Sequence, residues 1–169
     1  ARLETLDKRS EEAVFAAQKS VELLGDELTE SHLKRLLTSY RDNGDTQSAV
    51  EAFFQYRTQL AKVSPELFNT LLDDLKSLKQ DQEFDELLSQ ARALYPLDLA
   101  LGLKLVEQQW QQGPKAQALK QAKLWLPDHP SSDELLTLVH DYTVKVEGSE
   151  AAHQWLVEAR NKRPWMKKL

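Results

Sequence analysis

Three prolines recur at a fixed interval. Pro96, Pro130 and Pro164 stand 34 residues apart, and the residues before them repeat as well. Phe84, Leu88 and Ala91 precede Pro96; Ala118, Ala122 and Trp125 precede Pro130; Ala152, Leu156 and Ala159 precede Pro164. The steps are +4, +3 and +5 in all three copies. A fourth copy, Ala49, Phe53 and Tyr56, has Ala61 in the proline place, and a fainter fifth, Ala13, Ala17 and Ser20, ends at Gly25. A period of this length constrains the fold more than any composition does: each copy is one small unit that must bury its apolar face against its neighbours.

The +4, +3 spacing places these side chains on one helical face. Small residues there let two backbones approach closely, and the proline ends the helix because it lacks an N–H and restricts the residue before it. A second set of apolar stripes lies between these helices: Leu33, Leu36, Leu37 and Tyr40; Phe68, Leu71, Leu72 and Leu75; Leu99, Leu103, Val106 and Trp110; Leu135, Leu138, Val139 and Tyr142. Turn residues separate the two sets, at Asn43-Gly44-Asp45, Gln80-Asp81-Gln82, Gly113-Pro114 and Gly148-Ser149. Glycine just past a helix end suits the left-handed conformation, and Pro114 suits the first turn of the next helix. Ser64 before Pro65-Glu66, and Ser131-Ser132-Asp133, supply N-cap chemistry. No segment alternates with period two. The expectation is about nine helices of roughly 10–18 residues, paired by tight turns, and no sheet.

Composition narrows the function classes. The chain has 169 residues, 41% apolar and 29% charged, enough for a packed core, with five glycines and six prolines, too few for a turn-rich β-sandwich. The absence of cysteine removes disulfides, zinc–thiolate sites, iron–sulfur clusters and thiol catalysis. The net charge of −5 is uneven: residues 1–30 carry −4 and residues 151–169 carry +4, which leaves residues 1–150 at −9. That balance lacks the basic field that holds phosphates, so no nucleic acid is expected as a partner. The basic end, with Arg160, Lys162, Arg163, Lys167 and Lys168, reads either as a solvated last turn or as a docking patch for an acidic partner or anionic lipid. No window approaches the ~20 apolar residues of a membrane span, so no transmembrane segment is expected. The chain starts at Ala1 rather than Met and reads as processed or excised from something longer, in a cytoplasmic or periplasmic setting.

The period of 34, the paired helices, the small residue opening the second helix and the terminal proline resemble the tetratricopeptide repeat (TPR) family. The best copy is Leu33-x-x-Leu36-Leu37-x-x-Tyr40…Gly44…Ala49-x-x-x-Phe53; it departs from the family pattern at Leu37, where a small residue is usual, and Phe84 departs likewise in the next copy. The resemblance covers roughly residues 30–164 and implies an all-α fold, a right-handed α-solenoid of antiparallel helical hairpins. Residues 1–169 then form one TPR-like domain, with a partial repeat over 1–29 and repeats over 30–64, 65–98, 99–132 and 133–169. The resemblance further implies a concave face, lined by first-helix residues, that holds a peptide or protein partner. On this chain those residues are Lys34, Arg41, Asn69, Asp73, Lys76, Glu107, Trp110 and Asp141. Lys34, Arg41 and Lys76 suit a carboxylate, although they also read as ordinary solvated positions.

The implied function is a non-catalytic protein–protein interaction scaffold within a larger assembly. Two other readings stay open. One is a regulatory or sensory helical domain attached to an enzyme or transcription factor. The other is a self-associating module of a bacterial envelope export or biogenesis complex, a homo-oligomer through exposed solenoid ends. Trp110 reads as a partner anchor or as packing between repeats, and Trp125 as core. Trp155 and Trp165 flank the basic end. The four histidines His32, His129, His140 and His153 show no metal-ligand spacing beyond a loose His140, Asp141, His153 grouping. No phosphate-cradling glycine loop, nucleophile elbow or dinucleotide fingerprint occurs, so neither cofactor nor catalytic residue is expected.

Overall fold

The computed structural model describes residues 2–162, and the side chains of residues 10–159 and 161. Pro164, Trp165 and the basic residues Arg163, Lys167 and Lys168 lie outside the described residues. Among the described residues the regular structure is entirely helical, with no strand. The α-helices are α1 (Arg2–Leu24), α2 (Glu30–Asp42), α3 (Thr46–Tyr56), α4 (Pro65–Ser77), α5 (Asp81–Leu94), α6 (Leu99–Gln112), α7 (Lys115–Trp125), α8 (Asp133–Glu147) and α9 (Ser149–Lys162). At 23 residues α1 exceeds the expected length, because no turn residue interrupts it before Gly25. The chain divides into two compact units, residues 1–93 and 94–169.

Local chemistry sets the helix boundaries. Side-chain caps open four helices: Asp45 accepts from Ser48 N at 2.9 Å, Ser64 from Leu67 N at 3.3 Å, Asp98 from Leu101 N at 2.9 Å and Ser132 from Leu135 N at 3.2 Å. Each satisfies one of the donors a helix start leaves unpaired. At the other ends, Gly44 and Gly148 take the expected positive φ, 75° and 95°. Gly113 does not. It is extended at φ −123°, and its lack of a side chain serves a close approach instead, since a Cβ would meet the Gln109 carbonyl oxygen at 3.0 Å. After α4 the turn falls at residues 78–80, slightly before the expected 80–82, and Lys79 occupies the left-handed region at φ 58° without a glycine's freedom.

In residues 1–93, α2 packs between α1 and α3, and α3 also packs on α4. Leu33, Leu36, Leu37, Ala49, Phe53, Phe68, Leu71, Leu72 and Leu75 are buried as their spacing requires, while Tyr40 and Phe84 are half-buried. Ala13 and Ser20 of the faintest copy stay exposed. With residues Ala16, Ala17, His32, Arg35 and Ser39 they line a groove of ≈ 290 Å³ between α1 and α2.

Several polar contacts in this unit join residues close to one sequence period apart. Ser10 bonds Asn43, Arg41 bonds Asp74, Gln80 bonds Gln47 and Arg57 bonds Gln90, each pair 33 residues apart. Stacking one hairpin on the next brings positions one period apart together, so a fixed sequence offset becomes a ladder of cross-repeat bonds.

Residues 94–169 form the second core. Leu103, Val106, Ala118, Leu119, Ala122, Trp125, Leu126, Leu135, Leu136, Val139 and Tyr142 make one buried cluster, with Leu99, Trp110, Leu138, Val146 and Trp155 packed against it. The expected stripes are shifted here: Leu99 and Leu138 are half-buried, whereas Leu101, Gly102 and Leu136 are fully covered. Gly102 shows why. A Cβ at this position would lie 2.6 Å from Trp125 Cζ2. The indole of α7 lies against the bare backbone of α6, so a large residue stands at a small-residue position of one helix and a glycine receives it on the other.

Candidate functional site

The eight sequence-derived candidates divide between the two units. Lys34 and Arg41 on α2, with Asn69, Asp73 and Lys76 on α4, belong to residues 1–93; Glu107 and Trp110 on α6, with Asp141 on α8, belong to residues 94–169.

In the first unit the structure ties the α2 cations to carboxylates of this chain. Arg41 donates from Nε and Nη2 to Asp74 Oδ2 at 2.8 and 2.6 Å, in a pair only 22% and 13% exposed. Charge-assisted bonds of this kind hold both side chains in place. Lys34 Nζ lies 2.6 Å from Glu30 Oε1 and 3.6 Å from Glu66 Oε2. Glu30 in turn accepts from Ser64 N at 2.7 Å and from Ser64 Oγ at 2.6 Å, which joins the start of α2 to the start of α4. Burial pushes the Glu30 carboxyl up, but the bonds from Lys34 and Ser64 outweigh it and hold the group below its usual range. The Glu30 contact raises the Lys34 ammonium against a smaller opposing effect of burial. An acidic partner must therefore compete with Glu30, Glu66 and Asp74 for these cations.

The α4 face is more open. Asp73 and Lys76 are exposed, and each has other interactions within the chain. Asn69 donates from Nδ2 to the Pro65 carbonyl at 3.0 Å, while its Oδ1 is shielded from water and accepts no hydrogen bond among the described residues. Such an acceptor costs roughly 1–3 kcal/mol until a donor reaches it.

In the second unit Trp110 stacks on Tyr142, with ring centroids 3.7 Å apart and planes 16° from parallel. Lys115 Nζ lies over the indole at 5.4 Å from its centroid, and Lys145 Nζ at 5.8 Å. Asp141 Oδ1 is 3.2 Å from His140 Nδ1. Burial, and secondarily the charge of Glu107, push the Tyr142 phenol up to about 12. The folded state thus keeps Tyr142 protonated where the unfolded chain ionises it. This contribution is fully present below pH ~10 and is lost as pH rises toward 12. Urea unfolding at pH 9 and pH 11.5 should show residues 94–169 losing about 2 kcal/mol more in the parent chain than in Tyr142→Phe; equal losses contradict it.

Sequence reading missed Lys115, Lys145, Asp74 and Gly102. The first two lie five residues after Trp110 and three after Tyr142, and no one-dimensional signal says that one ring collects both. Asp74 was legible in principle as the acid one period after Arg41. Among the described residues no group of three or more His, Asp or Glu is gathered as a metal site, and no helix is long and apolar enough to cross a membrane.

No family model and no curated protein matches the chain. Solved structures do. YrrB, a TPR protein with an unusual peptide-binding site, is 18% identical, with a TM-score of 0.64 over 96% of this chain and 82% of that one. The MamA protein is 15% identical, with a TM-score of 0.68 over 99% of this chain and 92% of that one. The chain therefore has an all-α, TPR-like fold of divergent helical repeats.

Proposed function

We propose that this protein is a non-catalytic scaffold for protein–protein interaction, holding a segment of a partner polypeptide on the polar faces of its first helices within a larger assembly. The observation that carries it is the division of labour on α4. Leu67, Phe68, Leu71, Leu72 and Leu75 are buried, while the other face presents the exposed Asp73 and Lys76 beside the half-buried Asn69. The likeness of the fold to YrrB, whose peptide-binding site is called unusual, supports the same reading.

Lys34, through Glu66, and Arg41, through Asp74, serve chiefly to hold α2 to α4, and Asn69, Asp73 and Lys76 make the first contact surface. Glu107, Trp110 and Asp141 contribute in the second unit. The test is the joint replacement Asn69→Ala, Asp73→Ala and Lys76→Ala. Affinity for the partner recovered by the parent chain should fall at least tenfold, with stability changed by no more than about 1.5 kcal/mol, since surface substitutions act within about 0.5 kcal/mol each. Undiminished affinity would overturn the proposal.

A further inference from the structure

The Trp110–Tyr142 stack lies beneath two lysine ammonium groups. Two ammonium groups lie within 6 Å of one indole centroid, so they are no more than about 11 Å from each other. Both lysines are exposed, and neither enters an ion pair among the described residues. The acidic groups beside them have other contacts: Glu147 pairs with Lys123 at 3.0 Å, and Asp141 lies against His140. Glu107 is close enough to act on Tyr142, so an incoming carboxylate meets this fixed negative charge as well as the two ammonium groups. The platform under the charges is rigid, because Tyr142 is only 8% exposed and belongs to the buried core of its unit.

We infer that this cluster binds an acidic peptide segment, with carboxylates of the segment on Lys115 and Lys145 and an apolar side chain between them against the edge of Trp110. The inference rests on the scaffold reading above and names the chemistry of the partner at its second-unit face. Extended chain advances about 3.3 Å per residue, so acidic residues no more than about three apart reach both ammonium groups. Each exposed ion pair alone contributes little, and contact with the fixed aromatic ring makes the combination selective.

The test is a displayed library of random twelve-residue peptides selected on the full chain, followed by synthesis of the enriched peptides and fluorescence anisotropy. Enriched peptides should carry at least two acidic residues flanking an apolar one. Their affinity should fall tenfold or more in Lys115→Glu/Lys145→Glu, survive in Lys115→Arg/Lys145→Arg, and weaken with added salt. Neutral or basic enriched peptides, or affinity unchanged by charge reversal, would overturn the inference. If charge reversal spares binding while the α4 triple variant abolishes it, the scaffold reading stands and the acidic-peptide assignment fails.

Discussion

Phe53→Ala should lower the stability of residues 1–93 by about 3–5 kcal/mol, the range for emptying a fully buried aromatic site. Phe53 has no exposed surface and joins α3 to α4. It meets Phe54 edge-on within α3, with centroids 5.6 Å apart, and Phe68 of α4 at 6.2 Å and 74°. The Arg57 guanidinium lies 5.9 Å from its ring centroid. Truncation removes the ring that carries α3 packing to the next hairpin, and flanking leucines cannot fill the void without moving both helices. For a unit of this size the Tm should fall by at least about 12 °C. Circular dichroism melts read the loss, and Phe53→Leu, which keeps most of the volume, should cost much less. A loss under ~1 kcal/mol for the alanine variant would mean that α3 and α4 do not share a packed interface.

Gly102→Val should destabilise residues 94–169 by about 3 kcal/mol. Even one added carbon would stand 2.6, 2.7 and 2.9 Å from three atoms of the Trp125 ring. The ring has nowhere to go: Trp125 is 8% exposed, sits in the unit's core and stacks on His129 with centroids 5.5 Å apart. Overpacking of this kind costs typically 1–3 kcal/mol and more where backbone must shift. Valine, unlike alanine, gains little helix propensity over glycine to offset it. The diagnostic is a double-mutant cycle with Trp125→Leu. The double variant should be more stable than the sum of the single losses requires, by at least ~1 kcal/mol, because the smaller side chain at 125 removes the collision. Additive losses would show that the two positions do not meet.

That pair also shows how far the sequence could be read. The regular 34-residue spacing was visible because it marks repeated helix ends and small faces, and both are local consequences of residue type. The stripes at Leu33–Leu37 and Phe68–Leu75 were visible for the same reason. Gly102 was not, since an isolated glycine in a helical run reads only as weak helix propensity. Its meaning appears once Trp125 is brought back across the hairpin. The turn at residues 78–80 slipped past because Lys79 takes a conformation normally signalled by glycine, as at Gly44 one repeat earlier.

The candidate site was legible in part. First-helix positions were identifiable from the repeat phase, but whether a cation on them is available depends on a partner a full period away. Arg41 and Lys34 look alike in sequence to Lys115 and Lys145. Only three-dimensional packing shows that the first two face Asp74, Glu30 and Glu66, and that the other two share an aromatic ring.

The most direct measurement exploits the absence of cysteine. Single cysteines placed at Asp73 on α4 and at Glu51 on α3, both exposed, each carry one benzophenone label, and the bound partner is irradiated and the adducts mapped. Contact through the first helices predicts adducts from position 73 and none from position 51. Adducts from position 51 with none from position 73 would contradict it.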